Sequence, residues 1–144
     1  MIAVDTNILI YAHRKDTPWH AAASAAVTRL AEGNAPWAIA WPCIHEFFGV
    51  ATHPKIYKPA STVAEAVSQV TEWMGSPRLR LLSETQGYWA ELSKLAVTRR
   101  ISGPAIHDAR IAALCLQHGV SELWSADRDF SRYPDLKTRN PLVA

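Results

Sequence analysis

Four acidic residues in this 144-residue chain sit where a lone carboxylate is hard to explain. They are Asp5, Glu46, Asp108 and Asp127. Asp5 follows the short apolar run Ile2 to Val4, and Asp127 comes two residues after the apolar run that ends at Ser125. Asp108 shares a helical stripe with Ala105, Ile111, Ala112 and Cys115. Glu46 stands one turn after Cys43 and one turn before Val50. An unpaired carboxylate on an apolar face costs several kcal/mol, and crowding like charges raises some of their pKa values. A divalent cation removes both penalties. Hard oxygen donors suit Mg2+ or Mn2+, and such ions activate water and neutralise a phosphodiester under attack. Each acid also has an ordinary reading. Asp5 could cap a helix, Asp108 could pair with Arg110 or Arg99, Glu46 could reach solvent, and Asp127 and Asp129 could be turn residues.

The elements that must position these acids are legible from pattern. Ile2–Val4 reads as a buried strand, and Asp5-Thr6-Asn7 offers caps for a helix through Ile8, Leu9 and Tyr11. Trp19 to Ala31 is helical and closed by Gly33. Ala38 to Ala40 is a strand, and Pro42 suits the first turn of the helix carrying Glu46. His53-Pro54 ends that helix, and a polar, basic linker runs to Pro59. Ser61 or Thr62 can cap a helix over Val63 to Met74. Arg78 to Leu82 is a strand, and Thr85 to Arg100 a helix with Trp89, Leu92 and Ala96 on one stripe. Ser102-Gly103-Pro104 opens a helix over 105–118, Gly119 ends it, Glu122 to Ser125 is a strand, and Leu136 to Arg139 an edge strand. Strands alternating with amphipathic helices indicate an α/β protein with a parallel sheet, and ligands bind such sheets beyond the carboxyl ends of the strands.

Composition narrows the function classes. Apolar residues make up 49% of the chain and charged ones 19%, which suits one packed domain. The net charge of +2 does not identify a nucleic-acid binder by itself. Without the four acids, however, nine acidic residues face 15 basic ones. Arg14, Lys15, Lys55, Lys58, Arg99, Arg100, Arg128 and Arg132 are the candidates to hold phosphates, with Arg128 favoured because it adjoins Asp127. Cys43 and Cys115 form no C-x-x-C pair, so zinc-ribbon and thioredoxin-like sites are not indicated. His45-Glu46 opens like H-E-x-x-H, but position 49 is glycine. His107 beside Asp108 points to a different helix face. There is no P-loop, no G-x-G-x-x-G and no G-x-S-x-G. The N-terminus lacks the features of a secretory signal, and no apolar run is long enough to span a membrane, so a cytoplasmic protein is expected. Trp73, Trp89 and Trp124 are expected to be buried. Trp19, Trp37 and Trp41 flank loops and could be exposed at a partner surface.

Four segments carry a resemblance: VDTNILIYA, WPCIHEFFGVATHP, IHDARIAALCLQHG and LWSADRDF. In this order and spacing they resemble PIN-domain nucleases, and more narrowly the VapC toxins of bacterial toxin–antitoxin pairs, of a mycobacterial-type subgroup. The resemblance runs from Met1 to about Pro141. It implies a single PIN domain over 1–144, an α/β/α sandwich around a central, mainly parallel sheet. The family's acidic quartet falls on Asp5, Glu46, Asp108 and Asp127. In the family these acids hold Mg2+ or Mn2+ and position a water for attack on an RNA phosphodiester, leaving a 5′-phosphate and a 3′-hydroxyl. On this reading Asp5 and Asp127 bind the metal directly, Asp108 completes the site, Glu46 ligates through water or helps deprotonate the nucleophile, and Asp129 is a second acid near the metal. Thr6, Asn7 and Ser125 match polar neighbours that orient the acids. Arg14, Arg99 and Arg128 are carried as RNA-binding candidates. The resemblance also implies a cognate VapB-like antitoxin and a homodimer. Two alternatives stand beside the toxin reading: a nuclease of this fold in RNA processing, and a non-catalytic RNA- or protein-binding module. An aspartate-based phosphatase is weaker, because position 7 is Asn where a second Asp is usual.

Overall fold

The computed structural model describes residues 1–143, so only residue 144 of the expected domain lies outside the described residues. The elements run β1 (Ile2–Val4), α1 (Thr6–His13), α2 (His20–Glu32), β2 (Trp37–Ala40), α3 (Trp41–Ala51), α4 (Val63–Met74), β3 (Leu79–Leu82), α5 (Tyr88–Thr98), α6 (Ile106–Gln117), β4 (Glu122–Trp124) and β5 (Thr138–Arg139). Short 3₁₀ turns precede α6 and follow β4. The five strands form one parallel sheet in the order β3-β2-β1-β4-β5, flanked by the helices. Chain order reverses between β1 and β4. That pair is the topological switch point, where an open α/β sheet leaves a crevice at its carboxyl edge. Among the described residues no helix is long and apolar enough to cross a membrane.

Local chemistry explains the boundaries. Asp5 caps α1, its carboxylate accepting from the Thr6 N–H. Pro42 sits in the first turn of α3, where its missing N–H is harmless. Of the two cap candidates for α4, Thr62 takes the role: it accepts from the Glu65 N–H while Glu65 accepts from the Thr62 N–H, a full capping box. Gly87 adopts a left-handed conformation (φ 91°) before α5, so that helix begins at Tyr88 rather than at the expected Thr85.

The core lies on both faces of β1, β2 and β4 and around α6, whose Ala109 and residues 111–115 are all buried. Two tryptophans differ from expectation. Trp37, expected beside a loop, is fully buried as the first residue of β2, and its indole N–H donates to Ser76 Oγ at 3.0 Å. Trp89, expected in the apolar stripe of α5, is 72% exposed. The buried line of that helix is Leu92 and Leu95 with Tyr88 partly covered; it keeps the expected Leu92 but leaves Trp89, about 100° round the helix from Tyr88, on the solvent side. Trp73 and Trp124 are buried as expected, and Trp19 is exposed. Substituting Trp37→Ala is therefore expected to cost about 3–5 kcal/mol. Trp89→Ala should stay within about 0.5 kcal/mol. Chemical denaturation of the two variants checks the contrast.

Candidate active site

Asp5 and Ser125 directly follow the two strands, β1 and β4, that flank the switch point. Their backbones are tied there: the Asp5 N–H donates to the Trp124 carbonyl at 2.9 Å. The side chains are tied as well. Ser125 Oγ donates to Asp5 Oδ2 at 2.7 Å and accepts from the Asp127 N–H at 3.0 Å. Asn7 bridges the same strands, its Nδ2 donating to Ser125 Oγ at 3.3 Å and to Asp5 Oδ2 at 3.4 Å, while its Oδ1 accepts from the Ala126 N–H at 3.1 Å. The other Asp5 oxygen accepts from the Thr6 N–H at 2.8 Å and from the Cys43 thiol at 3.7 Å. Capping and site-building are thus done by one carboxylate. Asp5 is buried and immobilised by donors from α1, α3 and the residue after β4.

A cleft of about 210 Å³ opens beyond it. Its lining includes Asp5, Thr6, Asn7, Glu46, Asp108 and Asp127. The tightest group is Asp108, Asp127 and Asp129, each offering a carboxylate oxygen within 4.8 Å of the others. Asp127 also caps the following 3₁₀ turn, accepting from the Asp129 N–H at 2.8 Å, which holds its carboxylate against the Asp129 backbone. Asp5 and Glu46 border the same cleft without belonging to that tight group. Asp129, carried as a secondary candidate, thus joins Asp108 and Asp127 in the tight group, while Asp5 acts on Asp108 from the base of the cleft. Glu46 lies at the solvent rim, one helical turn before Val50 on the same face of α3.

Among the described residues, no Lys, Arg or His forms an ion pair with any of the five acids; the ion pairs are Arg14–Asp16 and Lys137–Glu122. The pairing of Asp108 with Arg99 or Arg110 does not occur. Desolvation raises the Asp5 carboxyl above its ordinary range, with a smaller push from Glu46. Partial burial and then the charge of Asp108 raise Glu46. Partial burial and then the charges of Asp127, Asp5 and Asp129 raise Asp108. Burial pushes the Cys43 thiol far up, so it is a neutral donor to Asp5 and not a nucleophile.

The donor set fits a divalent cation. Three carboxylates converge, two more border the space, and among the described residues none of them has an ion-pair partner; the charges of Arg132 on Asp108 and of Arg110 and His107 on Glu46 offset the rise only in part. The buried hydroxyl of Thr6 also has no hydrogen-bond partner among the described residues and lines the same cleft. An all-oxygen set of this kind suits Mg2+ or Mn2+ better than Zn2+.

The basic candidates are placed unequally. Arg128 is exposed directly after Asp127. Arg99 caps the far end of α5, exposed and outside the cleft lining. Arg14 is mostly covered, with every nitrogen of its guanidinium engaged by the protein. The sequence reading did not single out three residues at the site: Cys43 beneath Asp5, and Tyr11 and Tyr57 in the cleft lining. Tyr57 falls in the linker dismissed as polar and basic. The signal that points to it is the Glu46–Val50 face, which leads the chain leaving α3 along the cleft.

A family model described as PIN domain matches residues 2–136. Ribonuclease VapC43 of Mycobacterium tuberculosis is 31% identical over 142 residues, covering 99% of this chain and 96% of its own length. Ribonuclease VapC48 of the same organism is 28% identical over 138 residues, covering 96% and 95%. Among solved structures, VapBC2 from Rickettsia felis, bound to a DNA fragment from its promoter, gives a TM-score of 0.71 at 22% identity over 97% of this chain and 98% of that one. The Sarcin-Ricin loop cleaving toxin VapC20 of Mycobacterium tuberculosis gives 0.67 at 16% identity over 91% and 93%.

Two measurements test the electrostatics. A carboxyl that binds its proton more tightly in the folded state contributes stability below its unfolded pKa, and that contribution is lost as pH rises through the folded value. The raised Asp5, Glu46 and Asp108 therefore weaken the metal-free chain as pH climbs from about 4. Asp108→Asn is expected to raise the metal-free Tm at pH 7 by about 2–4 °C, with the gain vanishing at low pH. A lower Tm at pH 7 would contradict this. Ser125→Ala, which removes a donor to Asp5 and an acceptor for Asp127, should cost about 1–3 kcal/mol in denaturant titration and lower any metal affinity about 10- to 100-fold by calorimetry.

Proposed function

This chain belongs to the PIN-domain family and, within it, to the VapC ribonucleases, and we propose that its acidic cleft is the metal-dependent active site of a toxin endoribonuclease. One observation carries the reading. Asp108, Asp127 and Asp129 converge within 4.8 Å at the switch point, beside Asp5 and Glu46, with no ion pair to relieve them.

Asp108, Asp127 and Asp129 would hold Mg2+ or Mn2+, with Asp5 fixed at the base of the cleft to complete the negative field. The bound ion would supply charge neutralisation at the phosphodiester and a more acidic water. The remaining steps belong to the chain. Ser125 and Asn7 hold Asp5 and the Asp127 backbone in register, so little reorganisation accompanies reaction. The Thr6 hydroxyl, which lines the cleft beside Glu46 and lowers the pKa of its carboxyl, would meet a water or phosphate oxygen there. Glu46, solvent-accessible and held above the ordinary carboxylate range, is suited to take the proton from the attacking water. Attack at phosphorus with cleavage of the P–O3′ bond leaves a 5′-phosphate and, after protonation, a 3′-hydroxyl. Arg128, next to Asp127 and exposed, is the basic side chain best placed to meet a neighbouring phosphate.

The partner reading is a cognate VapB-like antitoxin and a second copy of this chain. The Rickettsia felis relative is a VapBC complex on promoter DNA. On this chain, Val63, Val67 and Met74 form an exposed apolar line along α4, and Trp89 and Val97 expose apolar surface on α5. Both faces are available for protein contact.

Cleavage of single-stranded RNA tests the function. Wild-type protein with Mg2+ or Mn2+ is expected to cleave, and EDTA should abolish the activity. Asp127→Asn or Asp108→Asn should lower the rate at least about 100-fold. Metal-independent cleavage, or full activity in either variant, would refute the site.

A further inference from the structure

The cleft has a second part that the acids do not occupy. Along α1 its wall runs from Asp5, Thr6 and Asn7 to Ile10 and Tyr11. On α3 it runs from Glu46 to Val50, and the loop after α3 adds Tyr57. Tyr11 lies roughly 9 Å along the α1 axis from Asp5. An acidic end and an aromatic end therefore share one opening.

Tyr57 is held from behind. The Arg14 guanidinium lies over its ring, 4.4 Å from the centroid. Arg14 is itself fixed: Nε and Nη2 donate to the two oxygens of Asp16 at 2.9 and 2.6 Å. Nη2 also donates to the Pro59 carbonyl at 2.9 Å, and Nη1 to Ser61 Oγ at 3.2 Å. Ser61 is buried and bonded to the His13 ring at 2.9 Å. Arg14 does not line the acid cleft. It lines a separate cavity of about 750 Å³ between the end of α1 and α4. Tyr57 thus lines the acid cleft and packs against the core, while the Arg14 that lies over its ring does not line that cleft. The tyrosine is only partly covered, and its hydroxyl has no hydrogen-bond partner among the described residues.

We propose that Tyr57 is the platform on which a base of the RNA strand stacks next to the attacked phosphate, with Arg14 positioning the ring from behind. This rests on the ribonuclease reading above. An aromatic ring beside a phosphodiester site gives affinity with little demand on sequence, because every base offers a π face. A ring pinned in advance loses little freedom when a base settles on it. The cation behind the ring stiffens it without competing for the strand, which accounts for an arginine whose nitrogens all face protein acceptors.

The test uses purified full-length chain with Mn2+ and a random-sequence pool of single-stranded RNA oligonucleotides carrying 2-aminopurine. Wild type is expected to quench the 2-aminopurine on mixing, ahead of cleavage. Tyr57→Leu should lose the quenching and raise KM about 10- to 100-fold, with the larger effect in KM rather than kcat. Tyr57→Phe should recover both quenching and KM. If Tyr57→Leu quenches and binds like wild type, the platform is overturned. Should the leucine variant fail to fold, Tyr57→Trp decides: it should quench at least as strongly as Tyr57→Phe, and loss of quenching would overturn the proposal. Asp108→Asn in the same assay separates the two readings. If it is inactive while Tyr57→Leu matches wild type, only the platform falls. If it cleaves normally, the acidic site itself is wrong.

Discussion

Repulsion among carboxylates is the constraint around which this molecule is arranged. Folding brings Asp108, Asp127 and Asp129 into mutual reach, with Asp5 and Glu46 bordering the same space. No cationic side chain closes on any of them among the described residues. Such a gathering is unfavourable by itself, and the fold sustains it by rigid attachment. Asp5 and Ser125 are fixed by the β1–β4 pairing, Asp127 by the Ser125 hydroxyl, and Asp108 by a helix buried almost all round. The core's stability holds the acids in place, and the acids leave the metal-free protein short of its stability optimum. Active sites commonly show this compromise.

The switch point explains why the charge collects there. Two adjacent parallel strands whose chain connections depart in opposite directions leave a crevice at their carboxyl ends. Asp5 caps α1 in the same crevice, so helix-capping and active-site geometry are served by one side chain. Ser125 and Asn7 convert that local cap into a cross-strand brace. A substitution at either residue is therefore a substitution in both the fold and the chemistry.

Much of this was readable from the chain. The strand ends at Asp5 and Ser125, the helical stripes carrying Glu46 and Asp108, and the order of elements follow from periodicity and capping residues, because those signals are local. Signals that depend on distant partners were not readable. Trp37 looked like a loop-flanking residue until Ser76 supplied a partner for its indole N–H and β2 took a central place in the sheet. Trp89 lies outside the buried line of α5 because the helix packs against α6 and the core through Leu92 and Leu95, a partner that local periodicity does not specify. Asp129 was visible as an acid, but its closeness to Asp108 depends on the 3₁₀ turn that Asp127 caps. Arg14 looked like a phosphate-binding residue by charge. Its acceptors, Asp16, Ser61 and the Pro59 carbonyl, come partly from a segment some 45 residues away. Tyr57 was hidden for the same reason, since only the packing of that loop on α1 brings it to the cleft.

The central claim is that the converging carboxylates form one cation site, and titration calorimetry of Mn2+ into the purified chain tests it most directly. The account predicts saturable binding to wild type that Asp108→Asn and Asp127→Asn each weaken strongly. Equal affinity in wild type and both variants would place the ion elsewhere and contradict it.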